Sequence, residues 1–171
     1  VNEYSTNGQT CTAITNCVDT GDKKTQKCVK CKNGFQPNPS DGGKTCVACE
    51  GNTYSADGKK CVAGPDDCAE SKDAEKYCET CKPGFKLESG KCTLCPDGWY
   101  GTDGETCKEI TNCAVTDNKA VQVCSACKAG FRPSADGKTC EECTGNTYSD
   151  DGVTCKEGPE FCIEANHEEL A

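Results

Sequence analysis

Large apolar residues are sparse along this chain, and those present recur beside glycine and cysteine at regular places. One recurring signal is C-K-x-G-F, which runs on to a glycine-lysine turn and a closing cysteine and starts at Cys31, Cys81 and Cys127. A second is a tyrosine five residues after a cysteine with a glycine following near a turn, at Tyr54, Tyr100 and Tyr148. Short apolar stretches bounded by turn residues are typical of β-hairpins, so the pattern predicts hairpins along the whole chain.

The turns of these hairpins are marked by Asp-Gly pairs at 57/58, 103/104, 136/137 and 151/152. Glycine adopts the positive φ angles that tight hairpin turns need. Helical periodicity is nearly absent. The two short polar segments 69–77 and 163–170 are the places where we predict one or two helical turns.

A conventional hydrophobic core is excluded by composition. The 171 residues include three Leu, three Ile, one Trp and no Met, whereas 20 are Cys. Ordering each residue costs roughly 1 to 2 kcal/mol of chain entropy, and apolar burial on this scale cannot offset that cost. A cysteine content above about 8–10% is typical of a disulfide scaffold, which persists where the environment is oxidising. The sequence therefore predicts an extracellular or cell-surface protein, and it contains no apolar stretch approaching the ~18 residues of a membrane span.

The cysteines define a repeat of 46 to 50 residues with the pattern C-x(5,6)-C-x(9,10)-C-x2-C-x(10,14)-C-x2-C-x11. A fixed period of this size indicates tandem modules. We therefore divide the chain into the end of a preceding module (1–10), repeat 1 (11–60), repeat 2 (61–106), repeat 3 (107–154) and the start of repeat 4 (155–171).

A longer period lies over the first. The segment from Cys11 to Cys68 matches that from Cys107 to Cys162 more closely than either matches the unit between them. The chain therefore reads as a two-module cassette duplicated in tandem.

Disulfide pairing is only partly constrained by the repeat. In both schemes considered, each C-K-x-G-F hairpin is closed by its own cysteines, Cys31–Cys46, Cys81–Cys92 and Cys127–Cys140. In a local scheme the others close the neighbouring hairpins, as Cys49–Cys61, Cys95–Cys107, Cys143–Cys155, Cys17–Cys28, Cys68–Cys78 and Cys113–Cys124. In an interlocked scheme they pair first to third and second to fourth, as Cys49–Cys68, Cys61–Cys78, Cys95–Cys113 and Cys107–Cys124.

The repeat is interrupted at both ends of the chain. The cysteine due before Tyr4 would precede Val1, and the one due after Cys162 would follow Ala171. We therefore expect an excerpt of a longer repeat protein. The unpaired cysteines would be Cys11 and Cys162 in the local scheme, or Cys17 and Cys155 in the interlocked one. Pairing of the leftover cysteines with each other or across subunits is the alternative.

Charge and candidate chemistry argue against an enzyme. The net charge is −9 with a pI near 4.7, which disfavours nucleic acid and anionic membranes as partners. Six C-x2-C pairs resemble zinc-ligand pairs, but each is accompanied by single cysteines that tetrahedral sites would leave over. His167 is the sole histidine and lies in an acidic terminal segment. We therefore predict no catalytic residue, no metal site and no cofactor.

Aromatic residues divide into two classes. Phe35, Phe85 and Phe131, with the tyrosines, are interpreted as small-core residues that pack on the disulfides of each module. Trp99 stands where the sister hairpins carry Thr53 and Thr147. It is therefore the candidate residue for a module junction or a contact surface.

The motifs C-x2-C-K-x-G-F, G-K-x-C-x2-C, N-T-Y-S and I-T-N-C together resemble the cysteine-rich surface antigens of protists. The similar families are the immobilisation antigens of ciliates and the variant-specific surface proteins of diplomonads. EGF-like and growth-factor-receptor (furin-like) cysteine-rich repeats share the same motifs. EGF-like modules use interlocked pairing, so this resemblance favours the interlocked scheme. The chain departs from them in having two residues, not one, between the fourth and fifth cysteines.

The resemblance implies an elongated rod of EGF-like or furin-like modules with short hairpins and little helix. It also implies a structural coat protein attached to the membrane only through an anchor outside this chain. The alternative is an adhesive or receptor-like binding ectodomain, or a subunit that polymerises head to tail into a fibre. In either case the expected partners are proteins or further copies of the chain.

Overall fold

The computed structural model describes residues 2–159. Within them, twenty strands of two to four residues pair into ten two-stranded sheets. The helical content of these residues is one 3-10 turn, Pro39–Asp41. The prediction of small disulfide-rich repeats built from hairpins with little helix is confirmed.

Three kinds of hairpin alternate along the chain, and we name them by their residues. The Tyr hairpins contain the repeated tyrosine and are β1/β2 (Glu3–Tyr4, Thr12–Ala13), β7/β8 (Thr53–Tyr54, Val62–Ala63), β13/β14 (Trp99–Tyr100, Lys108–Glu109) and β19/β20 (Thr147–Tyr148, Lys156–Glu157). The central hairpins follow them and are β3/β4 (Cys17–Asp19, Lys30–Cys31), β9/β10 (Cys68–Ser71, Cys78–Cys81) and β15/β16 (Cys113–Val115, Ala126–Cys127). The Gly-Phe hairpins come next and are β5/β6 (Phe35–Pro37, Cys46–Ala48), β11/β12 (Phe85–Glu88, Lys91–Leu94) and β17/β18 (Phe131–Pro133, Cys140–Glu142).

The turns of these hairpins use the residues that the sequence marks. Gly58, Gly104, Gly137 and Gly152 have φ between 68° and 72°, which confirms the predicted Asp-Gly turns. Positive φ is the region that glycine occupies without steric cost. In the Tyr hairpins the two strands are antiparallel, and each tyrosine is the last residue of the first strand, directly before the turn.

The chain divides into two compact units. The first contains residues up to Thr80 together with Ser89–Cys92, and the second contains Cys81–Glu88 and the described residues from Thr93 onward. In the first unit, Tyr4, Phe35 and Cys46 pack against a core of Ile14, Cys17, Cys28 and Cys31. In the second unit, Tyr100, Phe131 and Cys140 pack against the equivalent core of Ile110, Cys113, Cys124 and Cys127. The predicted role of these aromatic residues as small-core residues is confirmed for Phe35 and Phe131.

The motif Ile-Thr-Asn-Cys forms a tight turn into each of two central hairpins. Asn16 has φ 60° and Asn112 has φ 61°. The amide of Cys17 donates to the carbonyl of Ile14 across the first turn (3.1 Å). Asparagine tolerates the left-handed region better than most residues, because its short side chain bonds locally. The motif therefore buries its isoleucine and turns the chain within four residues.

The predicted helical turn at 69–77 is wrong. Strand β9 occupies Cys68–Ser71, and a turn leads directly into β10 at Cys78. The physical reason is the Cys68–Cys78 disulfide, which holds the two Cα atoms 5.7 Å apart. A helix rises 1.5 Å per residue, so ten residues of helix would separate these atoms by about 15 Å. The second predicted helical segment, 163–170, lies outside the described residues.

Candidate functional site: the disulfide framework

Every disulfide with a described partner is local, joining cysteines 10 to 15 residues apart. The bonds are Cys17–Cys28, Cys31–Cys46, Cys49–Cys61, Cys68–Cys78, Cys95–Cys107, Cys113–Cys124, Cys127–Cys140 and Cys143–Cys155. Cys81 and Cys92 are disulfide-bonded as well. Among the described cysteines, Cys11 is free and exposed, as the local scheme predicts. Cys162 and His167 lie outside the described residues.

The interlocked order implied by the EGF-like resemblance is wrong. Cys49 bonds to Cys61 and not to Cys68, and neither Cys61–Cys78, Cys95–Cys113 nor Cys107–Cys124 forms. The reason is geometric, because Cys49 and Cys61 flank one Tyr hairpin and their Cα atoms lie 5.6 Å apart. That separation is within the 4.4–6.8 Å that a disulfide requires. Each of these disulfides therefore closes a single hairpin.

The disulfides of a central hairpin and the following Gly-Phe hairpin lie in contact, and we call each such group a double-disulfide cluster. In the first cluster, the Sγ of Cys28 lies 3.4 Å from that of Cys46 and 3.7 Å from that of Cys31. In the cluster of the second unit, the Sγ of Cys124 lies 3.5 Å from that of Cys140 and 3.9 Å from that of Cys127. Cys31, the most buried of these residues, has no exposed surface.

The clusters bring sulfur atoms together without supplying the group that starts exchange. Thiol–disulfide exchange begins with attack by a thiolate on a disulfide sulfur. Cys17, Cys28, Cys31 and Cys46 are all in disulfides, so none of the four is a thiolate. The fold therefore packs two intact disulfides against each other.

The same clusters hold groups of three cysteine sulfurs within 4.8 Å of one another, as a metal site would. A metal ligand must be a thiolate, and a sulfur in a disulfide carries no such charge. Cys17, Cys28 and Cys46, which form one of these groups, are all in disulfides. In the oxidised protein these sulfurs are packing atoms that replace the missing aliphatic core.

Successive hairpins are joined through glycine turns and main-chain hydrogen bonds. The amides of Cys31, Cys81 and Cys127 donate to the carbonyls of Gly58, Gly104 and Gly152 at 2.7, 3.2 and 2.7 Å. A Cβ at any of these three glycines would overlap the carbonyl oxygen of the cysteine that it contacts. The turns of the second, third and fourth Tyr hairpins are therefore seated on the backbone of the preceding double-disulfide cluster.

A buried hydroxyl joins each central hairpin to the Tyr hairpin before it. Thr116 Oγ1 donates to the carbonyl of Trp99 (3.1 Å), and Ser71 Oγ donates to Oδ1 of Asn52 (2.5 Å). Thr20 Oγ1 lies 3.5 Å from its equivalent acceptor, the carbonyl of Glu3. All three hydroxyl residues are buried. Sequence reasoning missed this contact, although a Ser or Thr three residues after the second cysteine of each repeat was its signal.

Acidic residues in the Tyr-hairpin turns accept main-chain hydrogen bonds. Asp103 Oδ1 accepts from the amides of Glu105 and Thr106 (2.9 Å each), and the Thr106 amide is the main cause of the lowered pKa of Asp103. The pKa of Asp151 is lowered in the same way, chiefly by the amide of Val153. Hydrogen bonds to the charged form favour ionisation. Asp103 and Asp151 therefore stabilise, through their ionised carboxylates, the turns in which they lie.

Trp99 lies in β13, opposite Glu109 across the hairpin, and is half-buried. At the sister positions, Thr53 and Thr147 each donate their hydroxyl to a carbonyl three residues earlier (2.7 Å). Tryptophan cannot make that bond, so the third Tyr hairpin presents an aromatic side chain at this position instead. A contact role for Trp99 stays a prediction.

Two equivalent grooves occur, one in each unit. The first has a volume of about 370 Å³ and the second about 270 Å³. Both grooves are lined by an Ile-Thr pair, a Gln and a Lys-Thr-Cys segment. In the first groove these are Ile14, Thr15, Gln26, Lys44, Thr45 and Cys46. In the second they are Ile110, Thr111, Gln122, Lys138, Thr139 and Cys140. In the second groove, Gln122 is fixed by the hydroxyl of Tyr100 (3.1 Å) and the carbonyl of Lys138 (3.2 Å).

Residues 2–159 contain no helix that is long and apolar enough to cross a membrane. Compared with known proteins, the chain matches no family model, no curated protein and no solved structure.

Proposed function

We propose that this chain is a non-enzymatic structural protein of an extracellular surface coat, of the immobilisation or variant surface antigen type. The dense local disulfides fit an extracellular protein, because such bonds persist in oxidising surroundings. Tandem modules with a buried cystine core and exposed polar faces suit a layer that resists proteases while presenting its surface.

The observation that carries the proposal is that each module is stabilised by cross-links within its own hairpins. A disulfide closing a loop of 10 to 15 residues contributes about 2 to 4 kcal/mol. Hairpins of this length are marginal on their own in water. Local bonds limit the chain segment that opens when one hairpin frays, so a protease gains access to one short loop at a time.

A protease assay tests this proposal. The oxidised protein should survive trypsin far longer than the same protein reduced and alkylated, although both carry the same 19 lysine and arginine residues. The matched control is the alkylated, unreduced protein, in which only the thiols that are free in the oxidised protein are blocked. Equal digestion of oxidised and reduced protein would contradict a protective coat.

A localisation experiment tests the coat assignment separately. Antibodies against the folded chain should label intact, unpermeabilised source cells, and brief surface proteolysis with a reductant present should remove the label. Labelling that requires permeabilisation would contradict the proposal.

The alternative is an adhesive or receptor-like binding ectodomain, or a fibre subunit that polymerises head to tail. It is favoured by the repeated groove, since Lys44 and Lys138 occupy equivalent places in two grooves 94 residues apart. Two equivalent sites on one chain could raise the avidity for a repetitive partner. If this alternative holds, Lys44→Ala and Lys138→Ala should each weaken binding to the surface of neighbouring cells, and the double variant should abolish it. The exposed Lys59→Ala serves as the control.

A further inference from the structure

At one position the other three Tyr-hairpin turns share a residue type that the first turn lacks. At the position before the turn glycine, three hairpins carry Asp57, Asp103 and Asp151, whereas the first carries Asn7. All four side chains accept amide hydrogen bonds from the turn. An asparagine followed by glycine is chemically distinct, because the glycine amide nitrogen has no neighbouring side chain to shield it.

We propose that Asn7 is a site of spontaneous deamidation, which the folded turn itself promotes. The carbonyl oxygen Oδ1 of Asn7 accepts four hydrogen bonds. They come from the amides of Gln9 and Thr10 at 2.9 and 3.0 Å and from the hydroxyls of Ser5 and Thr10 at 3.2 and 3.3 Å. Donors aimed at an oxygen where negative charge develops lower the barrier to attack on its carbon.

The reaction needs no partner besides water. The backbone nitrogen of Gly8 attacks Cγ of Asn7, and negative charge develops on Oδ1. The Gly8 nitrogen gives up its proton and the Cγ–Nδ2 bond breaks, while the leaving nitrogen takes up one proton from solvent and departs as ammonia. This closes a five-membered succinimide. Water then adds to one of the two ring carbonyls and reopens the ring as aspartate or isoaspartate, restoring the Gly8 amide. Proximity within one dipeptide supplies the effective concentration.

The surroundings of Gly8 admit this chemistry. Gly8 has φ 68°, is exposed, and has no neighbouring atom within 4 Å of where a Cβ would lie. Its amide donates to the hydroxyl of Ser5 (3.0 Å), which can accept the departing proton and pass it to solvent. In contrast, the glycines of the other three Tyr hairpins are seated on cysteine carbonyls, where water and movement are restricted.

The product suits the turn. An aspartate at position 7 can accept the same amide bonds as Asp103 and Asp151, whose pKa values the turn amides lower. Hydrolysis to aspartate therefore makes the first hairpin like its sisters and adds one negative charge. Isoaspartate lengthens the backbone by one carbon and displaces the amide donors from the side chain.

The chain contains an internal control with the same dipeptide, Asn33–Gly34. There the glycine is buried and its amide donates to the carbonyl of Ser55 (2.8 Å). A Cβ at Gly34 would lie 3.0 Å from the Cβ of Asp73. The attacking nitrogen at this second site is therefore held by a main-chain carbonyl of another hairpin, whereas the Gly8 nitrogen bonds a side-chain hydroxyl of its own turn.

The test is incubation of the oxidised protein at mildly alkaline pH, followed by peptide mapping with mass spectrometry and measurement of released ammonia. Deamidation at Asn7 should exceed that at Asn33 by about tenfold or more, the rate equivalent of opening one buried hydrogen bond. It should also be faster in the folded protein than in the reduced, alkylated chain. A faster rate at Asn33, or at Asn7 in the unfolded chain, overturns the proposal.

Two variants separate the role of the donors from that of the dipeptide. Thr10→Val keeps the amide bond but removes a hydroxyl donor, and should slow deamidation about two- to tenfold. Gly8→Ala should reduce it further by shielding the attacking nitrogen. Asn7→Asp is the reference for the product and should release no ammonia from this site. An unchanged rate in Thr10→Val would show that the turn donors do not promote the reaction.

Discussion

Gly104 offers a direct test of how successive hairpins are joined. Gly104→Ala adds one methyl group in the turn of the third Tyr hairpin, where it would overlap the carbonyl of Cys81. The backbone there also has φ 71°, so alanine is disfavoured by its conformation as well as by the contact. The turn must move away and weaken the hydrogen bond from the Cys81 amide to the Gly104 carbonyl (3.2 Å).

Gly8→Ala is the matched control, because Gly8 occupies the same turn position with φ 68° and open space around it. Left-handed backbone costs a non-glycine residue about 1–2 kcal/mol in both variants. The loss of one hydrogen bond adds about 0.5–1.5 kcal/mol at Gly104 alone. We therefore expect losses of local stability of about 1.5 kcal/mol for Gly8→Ala and about 2.5 kcal/mol for Gly104→Ala.

Amide hydrogen exchange read by mass spectrometry resolves the two effects hairpin by hairpin. In Gly104→Ala the Cys81 amide should exchange at least about tenfold faster, since 1.4 kcal/mol corresponds to a factor of ten. The fluorescence of Trp99, which lies in the same hairpin, should change with it. In Gly8→Ala, loss of protection should be confined to the first hairpin. Equal destabilisation by the two substitutions would refute the seating of the glycine turn on the cysteine carbonyl.

Two further predictions concern hydrogen bonds. Thr116→Val removes the buried hydroxyl that donates to the carbonyl of Trp99 and should lower the free energy of unfolding by about 1–2 kcal/mol, read by Trp99 fluorescence. The exposed Thr111→Val should change it by less than about 0.5 kcal/mol, and similar losses in both would contradict the buried bond. Because the folded-state pKa of Asp103 lies below its ordinary value of 3.8, its stabilising contribution is complete above that value and is lost as pH falls through the lowered pKa. Carboxyl NMR should show Asp103 still ionised at pH 3.8, and titration centred at 3.8 would contradict this.

The cysteine spacing predicted most of the fold, because covalent closure leaves little choice to a chain without a core. Every recurring C-K-x-G-F and tyrosine signal corresponds to a hairpin in the structure. The pairing order could not be derived in the same way. The repeat allowed both schemes, and the resemblance to EGF-like modules favoured the wrong one despite the extra residue between the fourth and fifth cysteines.

The remaining contacts depend on backbone geometry that residue types express weakly. Asn16 and Asn112 occupy left-handed turns, and Ser71 and Thr116 are buried hydroxyls that join neighbouring hairpins. Small polar residues of this kind are also common on loop surfaces, so their identity alone does not predict burial. The helical turn expected at 69–77 failed because the Cys68–Cys78 bond overrides local propensity.

The seating of three Tyr-hairpin turns on cysteine carbonyls has a consequence for how such a chain can change over generations. Main-chain amides and carbonyls make the junction, and only the glycine at each turn is restricted by it. The exposed residues between the cysteines, such as Lys59, Glu105 and Val153, contribute no side chain to the junction. Substitution there can alter what an antibody recognises while the order and spacing of the modules are inherited unchanged. The same geometry permits whole cassettes to be gained or lost, because each new turn meets an identical backbone surface.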